Sequence, residues 1–365
     1  MRFVLYTHSL LSDWNHGNAH FLRGVLRELA ALGHDTLALE PEDAWSVGNL
    51  LADRGPAALA RFAVDFPELR VQRYGPDFDH GSALQDASVV IVHEWSDPAL
   101  VARLGRMRRL GGRFLLLFHD THHRGVSASE AIAGLDLAGY DAVLAFGETL
   151  RERYLRAGWG QRVFTWHEAA DIRLFRPVAG VAPRDDLIWI GNWGDGERAR
   201  ELETFLIEPA RRLGLSGVVH GVRYPPEARA SLATTRLAFG GSIANADAPG
   251  AFARHRMTVH VPRRPYVEAL PGIPTIRMFE ALACGIPLVS APWRDSEGLF
   301  RAGTDYLTAR NGDEMTMQLS RLRDDPALAR EIAARGLETI RARHTCAHRV
   351  QELLGIIANC RAEAA

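Results

Sequence analysis

A chain of 365 residues exceeds the size at which a single hydrophobic core keeps growing, so two domains are expected. With 47% hydrophobic and 24% charged residues and no low-complexity tract, the composition is that of a folded protein and excludes wholesale disorder. A formal charge of −1 supplies no global attraction to nucleic acid or to an anionic membrane, so any anion must be bound by a local site.

The N-terminal run MRFVLYTHSL lacks the charged, apolar and small-residue regions of a signal peptide and reads as a buried first strand, FVLY. A helix from about His20 to Leu32 follows, with Gly33 as its left-handed stop, and then a second strand, TLAL. VVIV, FLLLF and AVLAF continue the alternation of short apolar runs with helical patterns. That pattern predicts an α/β fold with a parallel sheet covered on both faces.

The polar, proline-bearing stretch Arg176 to Asp186 breaks the apolar periodicity, and a second series begins after it: LIWI, GVVHG, RLAFGG, MTVHV and PLVSA. We expect residues 1–178 and 179–345 to form two domains and 346–365 a final helix. Ala347, Val350, Leu353, Leu354 and Ile357 give that helix an apolar stripe that must be covered. No apolar run approaches the roughly 20 residues needed to span a bilayer, so no transmembrane segment is expected. Cys284, Cys346 and Cys360 lack metal-ligand spacing and suit a reducing cytoplasm as free thiols.

The most informative segment is PGIPTIRMFEALACGIPLVSAPW, where two prolines precede a helix that stops at Gly285. A helix opening after a Pro/Gly loop presents unpaired N–H groups and a partial positive charge, which suits a phosphate. Arg277 and Glu280 share one face of that helix. Arg277 has the reach for phosphate oxygens and Glu280 the reach for two ribose hydroxyls; an ordinary i,i+3 ion pair accounts for the same spacing.

FEALACGIPLVSAPW resembles the donor-binding signature of GT-B glycosyltransferases related to the large retaining family four, and the whole chain resembles their CgeB-like (spore-maturation-protein-like) relatives. The resemblance implies two Rossmann-like domains facing across a cleft, with the C-terminal helix crossing back to the first. It implies transfer of a sugar, of the hexosyl type, from a nucleotide-diphosphate sugar, retaining and metal-independent, with no cofactor. Glu280 takes the place of the glutamate that holds the donor ribose. Gly272, Ile273, Pro274, Thr275, Ile276 and Arg277 fall in the donor loop and first helical turn. Typical family-four members carry another glutamate eight residues before that glutamate, in contact with the transferred sugar, where this chain has Gly272.

In the first domain SDWNHGNAHF resembles the glycine loop that faces the donor phosphates and acceptor, placing Gly17 and Asn18 near the donor and His16 at the cleft. FLLLFHDTHHRG puts His119 and Asp120 at the C-terminal end of a buried strand, where open α/β sheets bind ligands. By resemblance His119 lies beside the reacting sugar, and this pair is the expected catalytic one. Read with His122 and His123 the same cluster offers metal ligands, but no second cluster supports it, and no metal is expected.

TWHEAADIRLFRP resembles the stretch that enters the second domain in these enzymes, which makes His167, Glu168 and Asp171 hinge candidates; capping or pairing explains Glu168 equally well. WIGNWGDGER places Asn192 and Trp193 near the diphosphate. The lysine of the family pair is absent, so Arg223, Arg263 and Arg264 are candidates for its charge. The basic run from Arg103 to Arg113 reads as a solvated helix face, or as a dock for a membrane carrying a lipid-linked acceptor. The acceptor is open: glycan, lipid-linked or small molecule, with nucleic acid not expected. A nucleotide-sugar epimerase of the same fold, or a non-catalytic nucleotide-sugar-binding protein, are the rival readings.

Overall fold

A computed structural model describes residues 1–194 and 196–362. The chain divides into two compact units, Met1–Glu168 joined by the segment from Cys346 on, and Ala169–Thr345.

The first unit is built on a seven-stranded sheet of β1 (Arg2–Tyr6), β2 (Asp35–Pro41), β3 (Val71–Tyr74), β4 (Val89–His93), β5 (Leu115–Asp120), β6 (Ala142–Ala145) and β7 (Val163–Thr165). All pairings are parallel, in the order β3-β2-β1-β4-β5-β6-β7. β4, β5 and β6 are buried along their whole length, which is why they stand out as unbroken apolar runs. The half-exposed VQRY of β3 and the three-residue β7 lack that signal and are not evident in the sequence.

The helix Ala19–Ala31 covers the sheet with Phe21, Leu22, Val25, Leu26 and Leu29, each worth about 1.5–3 kcal/mol when fully buried. It ends as expected. Gly33 takes φ 80° and donates to Ala30 O, while the His34 N–H reaches Leu29 O, so two orphan carbonyls of the last turn are satisfied.

The final helix, Cys346–Ala362, packs on Ala19–Ala31 within this unit. Its buried stripe runs through Cys346, Val350, Leu353, Ile357 and Cys360, so it is rotated from the expected one: Ala347 is exposed and Leu354 half-buried. Trp166 Nε1 donates to Arg349 O at 2.8 Å and fixes the helix's position. All three cysteines are free and buried.

The second unit has a six-stranded sheet of β8 (Asp185–Ile190), β9 (Ser216–His220), β10 (Arg236–Gly241), β11 (His255–His260), β12 (Leu288–Ser290) and β13 (Leu307–Thr308). These are again all parallel, in the order β10-β9-β8-β11-β12-β13. Its core gathers Leu187, Trp189, Leu206, Met257, Val259, Val289 and Leu319. Both sheets reverse direction at their first strand, between β1 and β4 in one and between β8 and β11 in the other. That switch point opens a crevice at the carboxyl ends of the strands, the general ligand position in open α/β sheets. No helix among the described residues is long and apolar enough to cross a membrane.

Candidate functional site

At the first switch point the chain leaves β1 through Thr7, His8 and Ser9, and leaves β4 through His93 and Glu94. His16 follows in the loop to the first helix, turned inward after Asn15, which takes the left-handed φ of 54°. Asn18 is the residue before that helix; its Nδ2 reaches Thr121 O at 3.4 Å, and the Gly17 carbonyl faces His20 Nδ1 at 3.3 Å. Beside His8 opens a groove of about 980 Å³ lined by Trp45, Tyr74, Trp95, Arg103 and Arg106, with Glu42, Asp43 and Asp97 among its walls. The basic run is thus divided: Arg103 and Arg106 face this groove, while Arg108 holds Asp141 with two bonds of 2.8 and 2.9 Å.

β5 ends in His119 and Asp120, and alternation along the strand sends them to opposite faces. His119 is wholly buried among Phe21, Trp166 and His93, with ring centroids 6.1, 4.8 and 5.7 Å away. Neither of its ring nitrogens has a hydrogen-bond partner, and burial pushes its pKa down to about 3. Asp120, also wholly buried, accepts from Tyr154 Oη at 2.7 Å and from the His122 N–H at 3.0 Å. Burial raises its pKa to about 6 against those two bonds. The neighbouring Glu94, buried and pushed well up by burial and by Asp120, is held by Arg124 at 3.0 Å. Arg124 in turn lies 4.4 Å over Trp95. The sequence reading had no signal for Glu94 and Arg124.

His123 is engaged locally, Nδ1 to Ser127 Oγ at 2.8 Å, and the ring of His122 lies against Trp95. At the end of this unit His167 is half-buried with Arg349 Nη1 3.5 Å from its Nδ1, and Glu168 is buried. Asp171, at the start of the second unit, is buried and accepts from the Arg173 N–H at 3.0 Å, a turn-forming contact.

At the second switch point the dominant side chain is Arg198, which the sequence reading left out. Its Nε and Nη2 donate to Asn192 O at 3.2 and 2.7 Å and its Nη1 to Val261 O at 3.0 Å, so one guanidinium ties the loop after β8 to the loop after β11. Its stem passes Gly194, where an added Cβ would lie 2.7 Å from Arg198 Cγ and where φ is 96°. Burial, and then the charges of Arg263 and Arg277, push its pKa down to about 9. Three arginines therefore share this crevice. Arg263 is paired with Glu197 at 2.6 Å, and Arg264 with Glu201 at 3.3 Å. Arg223 lies exposed in a left-handed turn after β9.

Asn192 Oδ1 accepts from the Val222 N–H at 3.1 Å, which fixes the loop after β8 to the turn after β9. Trp193 packs in the hydrophobic core against Tyr224. The indole is large and apolar enough that burial outweighs the polar loop around it.

The donor segment forms the helix Ile276–Ala283 with Thr275 before it. Thr275 Oγ1 meets His260 Nε2 at 3.1 Å, and His260 Nδ1 meets Ser290 Oγ at 2.9 Å, which joins the helix N-terminus to β11 and β12. Arg277 and Glu280 do form the i,i+3 ion pair, Glu280 with a fully buried side chain and Arg277 about a quarter exposed. Ile273, Pro274 and Ile276 are buried. Gly272 takes φ 92°, its N–H donates to Arg294 O at 2.8 Å, and a Cβ there would meet Ser296 Oγ at 2.7 Å and Glu297 Oε1 at 2.8 Å. No other residue fits without displacing Glu297.

Comparison with known proteins bears on this arrangement. Residues 198–355 match the family described as glycosyl transferase-like. Over its full length the chain is similar to sucrose-phosphate synthase from Thermosynechococcus elongatus, at 15% identity and a TM-score of 0.69, with all of both chains covered. It is similar also to Anabaena HepE in complex with UDP-glucose, at 13% identity and a TM-score of 0.69, covering 98% of this chain and 100% of that one. An α-glucosyltransferase in complex with UDP and a 13-mer DNA matches at 11% identity and a TM-score of 0.69, covering 98% and 99%. No curated protein matches the chain in sequence.

The fold is GT-B, and the glycosyl transferase-like family model matches only residues 198–355 of the chain. Arg198 opens the matched segment of this GT-B chain, and Arg263, Arg277 and Glu280 lie inside it, whereas His8, His16, His93, His119, Trp45 and Trp95 of the first unit lie outside it.

Proposed function

We propose that this chain is a glycosyltransferase that moves a sugar from a nucleoside-diphosphate sugar to an acceptor, with retention and without a metal at the diphosphate, within the CgeB-like group of GT-B enzymes. The observation that carries the reading is the arginine-lined switch point of the second unit. Arg198, Arg263 and Arg277 lie close enough for the last two to depress the pKa of the first, and a diphosphate entering that crevice adds to the counter-charge that Glu197 and Glu280 give Arg263 and Arg277. Glu280, held by Arg277, is assigned to the ribose hydroxyls, and the N-terminus of Ile276–Ala283 to a phosphate oxygen.

The sugar side differs from the common pattern. Because Gly272 has no side chain, Glu297 occupies the space next to it, and we assign the carboxylate contact with the sugar to Glu297. The acceptor is assigned to the groove of the first unit, where Trp45 and Trp95 are both about two-fifths exposed and present flat apolar faces for the face of a sugar ring. His119 and Asp120 have no exposed surface, so we assign them as positioning residues beneath the groove's edge rather than as groups that touch substrate.

Catalysis then rests on positioning and on the fixed positive field at the leaving diphosphate. Incubation with UDP-, GDP- and dTDP-sugars tests this: nucleotide release with sugar transfer or hydrolysis is expected, with the product anomer matching the donor by proton NMR. A changed sugar would point to an epimerase, and tight binding without turnover to a non-catalytic binding protein.

A further inference from the structure

Three histidines meet at the switch point of the first sheet, outside the residues assigned to the donor. His8 follows β1, His16 lies in the next loop and His93 closes β4, so they come from positions far apart in the chain. One ring nitrogen from each lies within 4.8 Å of the other two, and among the described residues this is the grouping of three or more that can hold an ion. The ring centroids are 3.9 Å apart for His8 and His16, 5.2 Å for His8 and His93, and 6.0 Å for His16 and His93.

All three are buried, yet Nδ1 of His8 has no hydrogen-bond partner, and His16 has no close one beyond a backbone contact at Ser9. Buried polar atoms are almost always partnered, and an orphaned one is costly. Neutral imidazoles with unused lone pairs are the form that binds a transition metal.

The surroundings fit that use. His93 Nε2 lies 3.1 Å from Thr121 Oγ1, and a bond there leaves the Nδ1 lone pair with only a long 3.4 Å contact from the Trp95 N–H. A hydrogen bond at the far nitrogen is the usual outer support of a metal-bound imidazole, and here a hydroxyl oxygen is placed to accept it. The nearby carboxylates are otherwise engaged: Glu40 accepts from the Leu10 and Leu11 N–H groups at 2.7 and 3.0 Å, and Asp13 pairs with Arg23 at 3.0 Å. His8 also lines the groove beside Trp45 and Trp95, which gives an ion its way in.

We propose that His8, His16 and His93 form a three-histidine site for a divalent transition-metal ion of the zinc class, its remaining coordination position on the side of the groove that His8 lines. Zinc–nitrogen bonds of about 2.0–2.1 Å in tetrahedral geometry bring the nitrogens to roughly 3.3 Å from one another, so the rings draw inward on binding. The site departs from the expectation of a chain without metal, and its residues are other than those of the second unit assigned to the diphosphate. Its role is to lock the loop carrying His16 onto the ends of β1 and β4.

The full chain is stripped with a chelator, exposed to zinc chloride, freed of excess by gel filtration and assayed for metal. One zinc per chain is expected in the wild type and in His348→Gln, and less than about a tenth of that in His16→Gln and His93→Gln. Titration of the stripped wild type with cobalt(II) is expected to give the intense visible bands of a tetrahedral site. Circular dichroism of the metal-free variants establishes that they are folded. A wild type that retains well under one zinc and gives no such bands overturns the proposal even if no variant folds, as does undiminished zinc in a folded His16→Gln. The readouts are independent of turnover, so failure here leaves the proposed transferase reading intact.

Discussion

The two switch points have the same topology and opposite chemistry. In the first unit the crevice between β1 and β4 is lined by neutral imidazoles, with His8, His16, His93 and His119 all held below their ordinary pKa by burial. In the second, the crevice between β8 and β11 is crossed by Arg198, with Arg263 and Arg277 adding to its charge. A parallel sheet that reverses at its first strand provides the opening, and the loop residues decide what enters it.

Acidification should break the comparison most strongly. A histidine whose pKa falls on folding contributes stability above its unfolded value of about 6.5 and loses it as pH drops toward the folded value. In metal-free protein His8 and His119, lowered to about 3, should each cost about 2 kcal/mol at pH 5 relative to pH 7.5, and His16 and His93 act in the same direction. Asp120, raised to about 6, has the opposite sign and offsets only part of this below pH 6. Hydrogen exchange should therefore accelerate first at β1, β4 and β5. Equal acceleration in β8 and β11 would remove the distinction.

Arg198→Ala should be the next largest effect, lowering nucleoside-diphosphate affinity by about 2–3 kcal/mol in calorimetry through loss of a fixed charge beside the phosphates. Lysine at that position should recover only part, because one ammonium cannot hold Asn192 O and Val261 O together. Glu280→Ala should cost about 1–3 kcal/mol of donor affinity with the fold retained, and unchanged affinity would take Glu280 out of the site. The smallest effect is in Gly272→Ala, whose φ of 92° and contact with Glu297 should lower stability by about 1–3 kcal/mol. A Tm equal to that of the wild type would show that Glu297 is not seated there.

What was legible in the sequence followed from local pattern. Apolar runs marked most strands from FVLY to PLVSA, Gly33 marked the end of its helix, and the EALACG stretch marked the helix Ile276–Ala283. Short, half-exposed β3, β7 and β13 left no such trace.

The site was legible only in part, because sheet register brings together residues whose separation in sequence carries no signal. His8 and His93 become neighbours through the pairing of β1 with β4. Arg198 sits in a polar loop that reads as solvated, and becomes central because β8 and β11 are adjacent. Trp193 packs into the core although the loop around it is polar.

The central claim, a diphosphate held by the arginines of the second unit, is tested most directly by calorimetric titration of the full chain with UDP, GDP and dTDP beside their parent nucleosides. At least one diphosphate should bind no less than about tenfold more tightly than its nucleoside, and Arg198→Ala should abolish the difference. Equal affinity for diphosphate and nucleoside, or a difference that survives in a folded Arg198→Ala, would contradict it.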